Sequence, residues 1–276
     1  MALAIPLRSP RPIAWATLRI PLTYLWGHGR LPDLADARRF TQIVQLRKLL
    51  DRDPHMTARS DKLRVKGHVA GLLGPDWCVP TLWSGKDVPA NAPVSGTTFA
   101  KSRHGCNQTL RIAGPSDWMR LRTLAPRWTA QSYGEWLDEW AYRDVPRGVV
   151  VEPLLGDGNA ALLDYKIYVF GGRATHVQVH LDRGLRHRWV LHDRDWNKLA
   201  PEQPDSPARP ASLSAMLEAA EVLAHDFSFA RVDFYEVAGK PLFGEFSFYP
   251  GSGLDPFAAD WIDFELGNLW RSALGT

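Results

Sequence analysis

The chain has 276 residues, 45% hydrophobic and 23% charged, a globular composition with room for one large domain or two closely packed ones. Its formal net charge of +3 permits an anionic substrate, and no basic block interleaved with aromatics marks a nucleic-acid surface. The two cysteines, Cys78 and Cys106, lack CxxC spacing; they are too few for a disulfide framework or a zinc site and fit a reducing cytoplasm.

In chain order, residues 13–26 are apolar but interrupted by Arg19 and Pro21. They fall short of the ~20 residues a spanning helix needs and lack a signal peptide's uninterrupted apolar region and cleavage site. They are expected to pack on the domain, the alternative being a membrane-surface segment. Residues 34–52 carry Phe40, Ile43, Val44, Leu46 and Leu50 at helical spacing, stopped by Asp53-Pro54. Ser60-Asp61 caps a second helix, from Lys62 to Leu73, closed by Gly74-Pro75. Short strands are expected at 79–83 and 97–102, the latter returning at 108–112 after a turn at 104–107. Helices follow at 115–123 and 132–142, the second with Trp136, Leu137 and Trp140 inward. Residues 149–155 read as a buried strand. Residues 162–170 and 174–181 read as a hairpin about Gly171-Gly172. A Pro-rich loop (201–210), a helix capped by Ser212 and running to about His225, and a last helix near 258–274 complete the pattern. Antiparallel pairs interspersed with helices mean an α+β fold.

Between the last two helices lies the most informative stretch, residues 231–247, two apolar strands about a turn at Ala238-Gly239-Lys240. Residues two apart share a strand face, so Arg231, Asp233 and Tyr235 point one way. Folding back at the turn brings Asp233 towards Glu245, with Ser247 on the face of Glu245. Two such carboxylates repel unless a positive group lies between them, and Mg2+ with a substrate phosphate is a usual solution. A hairpin with a solvated polar face leaves the same pattern.

Eight pieces in order then resemble the ATP-grasp superfamily, and within it the TupA-like branch associated with teichuronopeptide and other bacterial surface-polysaccharide synthesis. They are residues 39–40, 61–66, 99–105, 151–155, 164–171, 193–196, 229–235 and 243–253. The resemblance implies two α+β lobes with antiparallel sheets clasping ATP. The regions would be 1–75 on the N-terminal helical side, 76–150 as the small lobe and 151–276 as the large lobe with the metal site. It implies that Lys101 and Lys62 meet phosphates, and that the turn 102–107 covers the triphosphate. Glu152, Pro153, Leu154 and Leu155 would receive adenine. Pro153 has no N–H, so donation falls to Leu154 or Leu155. Asp164 is counted with the nucleotide-binding residues. Lys166 is placed at the transferred phosphate, and Arg183 and Arg231 at acceptor or phosphate. Asp233, Glu245 and Ser247 would hold Mg2+.

The activity so implied is an ATP- and Mg2+-dependent carboxylate–amine ligase acting through an acyl phosphate in surface-polysaccharide modification. The carboxylate would be a uronic acid or another glycan-linked acid, the amine an amino acid, and the location cytoplasmic. Two alternatives stand beside it. One is a kinase on the same scaffold with His180 or Asp182 as base. The other is a non-catalytic glycan- or nucleotide-binding protein using Trp189, Trp196 and Tyr249.

Overall fold

In the computed structural model the described residues are 14–156, 162–181, 188–200, 202 and 205–275. The helices are α1 (Ala14–His28), α2 (Phe40–Leu50), α3 (Pro54–Ser60), α4 (Arg64–Leu73), α5 (Pro115–Ala130), α6 (Leu213–Ala224) and α7 (Asp260–Ala273). The strands are β1 (Trp83–Gly85), β2 (Thr98–Ser102), β3 (Thr109–Ile112), β4 (Val149–Pro153), β5 (Asp164–Phe170), β6 (Arg173–Leu181), β7 (Arg188–Asp193), β8 (Phe229–Val237) and β9 (Lys240–Ser247). They form two antiparallel sheets, ordered β1-β4-β2-β3 and β7-β6-β5-β8-β9. The fold is α+β, as the pattern of strands and helices implies.

Local chemistry explains most of the boundaries. Gly171 and Gly172 (φ 54° and 79°) and Ala238 and Gly239 (φ 52° and 74°) supply the left-handed backbone that two-residue hairpin turns need. The Asp53 side chain accepts the His55 N–H at 2.9 Å, and Pro54 takes the first helical position. So Asp53-Pro54 both ends α2 and begins α3, a helix absent from the sequence reading. Asp61 accepts the Leu63 and Arg64 N–H groups, which starts α4 two residues after Lys62. α2 starts only at Phe40, where the Gln42 side chain accepts the Arg38 and Arg39 N–H groups.

Three expectations are corrected. Residues 132–142 are not an amphipathic helix but two short 3-10 turns, 135–137 and 140–142. Gly134 (φ 78°) and Asp138 (φ 59°) sit in the left-handed region, Glu139 is buried, and Trp136 faces solvent at 69% exposure. α5 does not stop at 123 but runs through Pro126 to 130. Leu121, Ala125 and Trp128 pack on Ala100, Ile112, Val149 and Val151 of the first sheet, and tertiary packing outweighs the helix hydrogen bond that Pro126, with no N–H, cannot donate. The strand expected at 79–83 begins only at Trp83, as β1, and residues 188–193, to which the sequence assigns no element, form β7. Ser212 also stands before α6 without capping it: its N–H and hydroxyl donate to Glu236.

The second sheet divides its residues by face. Ile167, Val177, Val179, Val232 and Phe234 join the main core with Met216, Ala220 and Leu223 of α6. The other face carries Asp164, Lys166, Gln178, His180, Arg231 and Asp233, which share a side by cross-strand register. β4, at 149–153, runs across the expected 150/151 boundary as a strand of the first sheet.

Candidate active site

The acidic pair depends on one glycine. About a turn at 238–239, Val237 pairs with Lys240 and Phe234 with Phe243. Regular counting would then set Asp233 against Gly244 and turn Glu245 to the opposite face. The observed pair is Asp233 with Glu245, then Val232 with Phe246 and Arg231 with Ser247, the register shifting after Phe234. Gly244 is the extra residue of a β-bulge. The bulge lets Phe243 join Phe246 on the apolar face, ring centroids 5.7 Å apart, while Glu245 and Ser247 keep the face of Asp233. A Cβ on Gly244 would lie 3.0 Å from the Asp233 carbonyl oxygen and 3.2 Å from the Tyr235 ring.

Around Asp233 the charges are dense and buried. Arg231 grips it with two N–H donors, Nε to Oδ1 and Nη2 to Oδ2, each 2.7 Å. Lys166 Nζ lies on Asp233 Oδ2 and on Asp164 Oδ2. Burial alone would raise the pKa of Asp233; Arg231 and Lys166 outweigh it and hold the carboxyl at about 2. Burial works to lower the Arg231 pKa, and Asp233 reverses it, so the guanidinium stays charged.

A second wall faces this one. Lys101 on β2 and Lys66 on α4 bracket Glu152 of β4, Lys101 Nζ at 2.7 Å from Oε2 and Lys66 Nζ at 2.5 Å from Oε1. Burial pushes the Glu152 pKa up, but the two ammoniums prevail and keep it below its ordinary value. Lys62 Nζ donates to the Gly105 carbonyl at 2.6 Å and stands 3.8 Å from Glu245 Oε2. Lys62, Lys66, Lys101 and Glu152 line one cleft with Tyr235 and Gly244 of the hairpin. Three lysines and the acidic hairpin therefore converge from elements that lie far apart in sequence. Lys66 was not among the expected site residues, although it lies four residues after Lys62 in the same stretch, 61–66.

The adenine-side expectation changes in one respect. The Leu154 N–H donates to the Thr97 carbonyl at 3.3 Å, so Leu155 is the remaining donor of the two. The turn 102–107 is tied down: Arg103 Nε donates to Asp61 at 2.7 Å, and Cys106 is packed against the core. Burial first, then nearby Glu245, pushes the Cys106 thiol up to about 11, which makes it a poor nucleophile. Arg183 and Asp182 lie outside the described residues. His180 lines a second cavity on the same sheet face with Arg231, Tyr168, Gln178, Trp189 and Asp255. Of the aromatics considered for sugar stacking, Tyr249 is buried and Trp196 stacks on His192 at 4.2 Å. Only Trp189 of the three reaches that cavity.

Glu245 and Ser247 carry hard oxygen atoms of the kind Mg2+ takes, while both oxygens of the fully buried Asp233 are already engaged by Arg231 and Lys166. Among the described residues no group of three or more His, Cys, Asp and Glu gathers as a metal cage.

A model of the TupA-like ATP-grasp family matches residues 116–271. No curated protein matches the sequence at a significant level. Among solved structures the chain is similar to D-alanine–D-alanine ligase from Bacillus anthracis, with TM-score 0.47 and 12% identity over 79% of this chain and 65% of that one. It is similar also to D-alanine–D-alanine ligase from Helicobacter pylori, with TM-score 0.49 and 12% identity over 86% and 67%. A third is L-amino acid ligase from Bacillus licheniformis, with TM-score 0.48 and 13% identity over 80% and 48%. The chain thus spans 65% of the first ligase's length and under half of the third's.

Proposed function

The chain belongs to the TupA-like ATP-grasp family, and from that premise we propose that it is an ATP- and Mg2+-dependent ligase joining a carboxylate to an amine through an acyl phosphate. The observation that carries this reading is the bulge-set pairing of Asp233 with Glu245 in a hairpin whose Tyr235 and Gly244 line one cleft with Lys62, Lys66 and Lys101.

In this reading Asp233, Glu245 and Ser247 hold Mg2+, the three lysines take phosphate oxygens, and Leu155 meets the adenine edge beside Pro153 and Leu154. Glu152 aligns Lys66 and Lys101 rather than touching the base. MgATP, when bound, supplies the phosphoryl group and the cation that neutralises its charge. The chain's own residues position and balance charge. Arg231 and Lys166 keep Asp233 ionised, and Arg231 offers its remaining N–H groups to an acceptor carboxylate in the cavity with Gln178, Trp189 and Asp255. Asp164 holds Lys166 in place. Arg183 keeps a proposed role at acceptor or phosphate.

The acceptor we propose is a uronic acid or another glycan-linked carboxylate, the amine an amino acid, and the setting surface-polysaccharide modification in the cytoplasm. The test is Mg2+-dependent ADP release by the wild type and Glu245→Gln with amino acids, with and without uronic acids. Release that needs both a carboxylate and an amine, and disappears in the variant, supports the ligase. His180 in the Arg231 cavity favours a second reading, a kinase acting on a hydroxyl; ADP release with a hydroxylated acceptor and no amine would select it.

A further inference from the structure

α1 is docked on one side and bare on the other. Ala16, Ile20 and Tyr24 are buried, the Tyr24 hydroxyl meets Thr41 Oγ1 at 3.0 Å, and His28 meets the Gly253 carbonyl at 3.0 Å. Arg19 pairs with Asp138. The helix is therefore held in a fixed rotation. Its outer stripe is Trp15, Leu18, Leu22, Leu25 and Trp26, at 74%, 56%, 53%, 39% and 85% exposure, on the three-and-four spacing of one helical face. Trp136, 69% exposed, closes a groove beside it with Trp15, Leu22 and Trp26. Large apolar side chains clustered in this way mark an interaction site.

Charge selects the occupant. From residue 1 to 32 the sequence holds four arginines (8, 11, 19 and 30) and no Asp or Glu; the first acid is Asp33. The carboxylate at the groove, Asp138, is neutralised by Arg19, and one exposed acid, Glu135, adjoins Trp136. A second copy docked two-fold on this face would set basic segment against basic segment. Arg19 and Arg30 meet Asp138 and Asp260, which leaves the segment with two further arginines and no acid of its own; an anionic bilayer surface offers the complement to that charge and an interface for Trp15, Trp26 and Trp136, which combine an apolar body with an N–H. Fifteen residues reach about 22 Å, short of the ~30 Å hydrocarbon core, and among the described residues no helix is long and apolar enough to cross a membrane.

We propose that the outer face of α1, with Trp136, lies on an anionic lipid surface and holds the protein at the membrane. The proposal does not depend on the ligase reading. Its test is co-sedimentation of the full chain with vesicles of phosphatidylcholine alone and of phosphatidylcholine with phosphatidylglycerol, with tryptophan emission read in parallel. The expected result is binding to the anionic vesicles with a blue shift, weakened by salt, and roughly tenfold weaker for Leu22→Glu, since an interfacial helix binds through its apolar area and anionic attraction together. Trp26→Ser, at the most exposed position, gives the same readout if Leu22→Glu folds poorly, with thermal melts as the control. No binding to anionic vesicles, or equal binding by both variants, overturns the proposal. So does a concentration-dependent dimer that Leu22→Glu abolishes, which would assign the face to a second copy.

Discussion

Single side chains decide which cations are spoken for and which can meet a ligand. Lys66 rests on Glu152, Thr81 and the Val79 carbonyl, and Lys101 on the other oxygen of Glu152. One buried carboxylate thus fixes two ammoniums at the cleft. Lys66→Met keeps the stem and removes the charge; ATP should bind roughly tenfold more weakly by calorimetry, about 1.4 kcal/mol, with the fold retained. Unchanged affinity would take Lys66 out of the phosphate wall. Asp233 makes a prediction about pH. Its folded pKa of about 2 lies below the ordinary 3.8, so the folded state sheds this proton more readily than the unfolded chain. The stabilisation is complete above pH 3.8 and is lost as pH falls through about 2, a contribution of about 2 kcal/mol. Urea melts from pH 5 to pH 2 should show that decline in the wild type and a shallower one in Asp233→Asn. The variant should also be less stable at neutral pH, because Arg231 and Lys166 are left buried without their shared partner. Parallel acid limbs would show that Asp233 is not held in this way.

At the scale of elements, the bulge at Gly244 is what turns two strands into a site. A β-branched side chain there would press on the Asp233 carbonyl and the Tyr235 ring. Gly244→Val should therefore cost about 1–3 kcal/mol in urea denaturation and remove Mg2+-dependent nucleotide binding. Full binding would mean that the pairing of Asp233 with Glu245 survives without the glycine. The same hairpin shows what sequence can and cannot convey. Its turn was legible because Gly239 next to Ala238 is local chemistry, and the shared face of Arg231 and Asp233 follows from strand period. The bulge was not, because alternation assigns Phe243 and Glu245 to one face, and only the buried contact of Phe243 with Phe246 separates them. Residues 132–142 fail for a similar reason. Trp136, Leu137 and Trp140 have helical spacing, yet Gly134 and the Asp138–Arg19 pair impose another path. Lys62, Lys101 and Glu152 were singled out through resemblance and the structure brings them to one cleft, whereas the engagement of Leu154 by Thr97 depends on how β2 meets β4, which no local pattern encodes. β7 was missed because the alternation in 188–193 is short and bordered by charge.

For the molecule as a whole, the site is divided between two sheets that helices connect. Arg103 of the first sheet's loop holds Asp61 at the head of α4. Lys66 of α4 reaches Glu152 on β4, and Lys62 reaches towards Glu245 on β9. A ligand that fills this cleft touches both walls and binds only the folded arrangement, so it must raise stability by mass action. At a hundred times its Kd, MgATP should add about 2.7 kcal/mol, which for a chain of this size raises Tm by about 5–10 °C. Three melts separate the contributions. ATP with EDTA should give a smaller rise, because the lysine wall acts without Mg2+. Mg2+ alone should give little, because the hairpin supplies too few ligands for a cage. Glu245→Gln with MgATP should fall to the level of ATP with EDTA, if Glu245 contributes through the cation. A rise in Glu245→Gln equal to that of the wild type would separate the hairpin from nucleotide binding, and no rise with MgATP in the wild type would remove ATP from the cleft altogether.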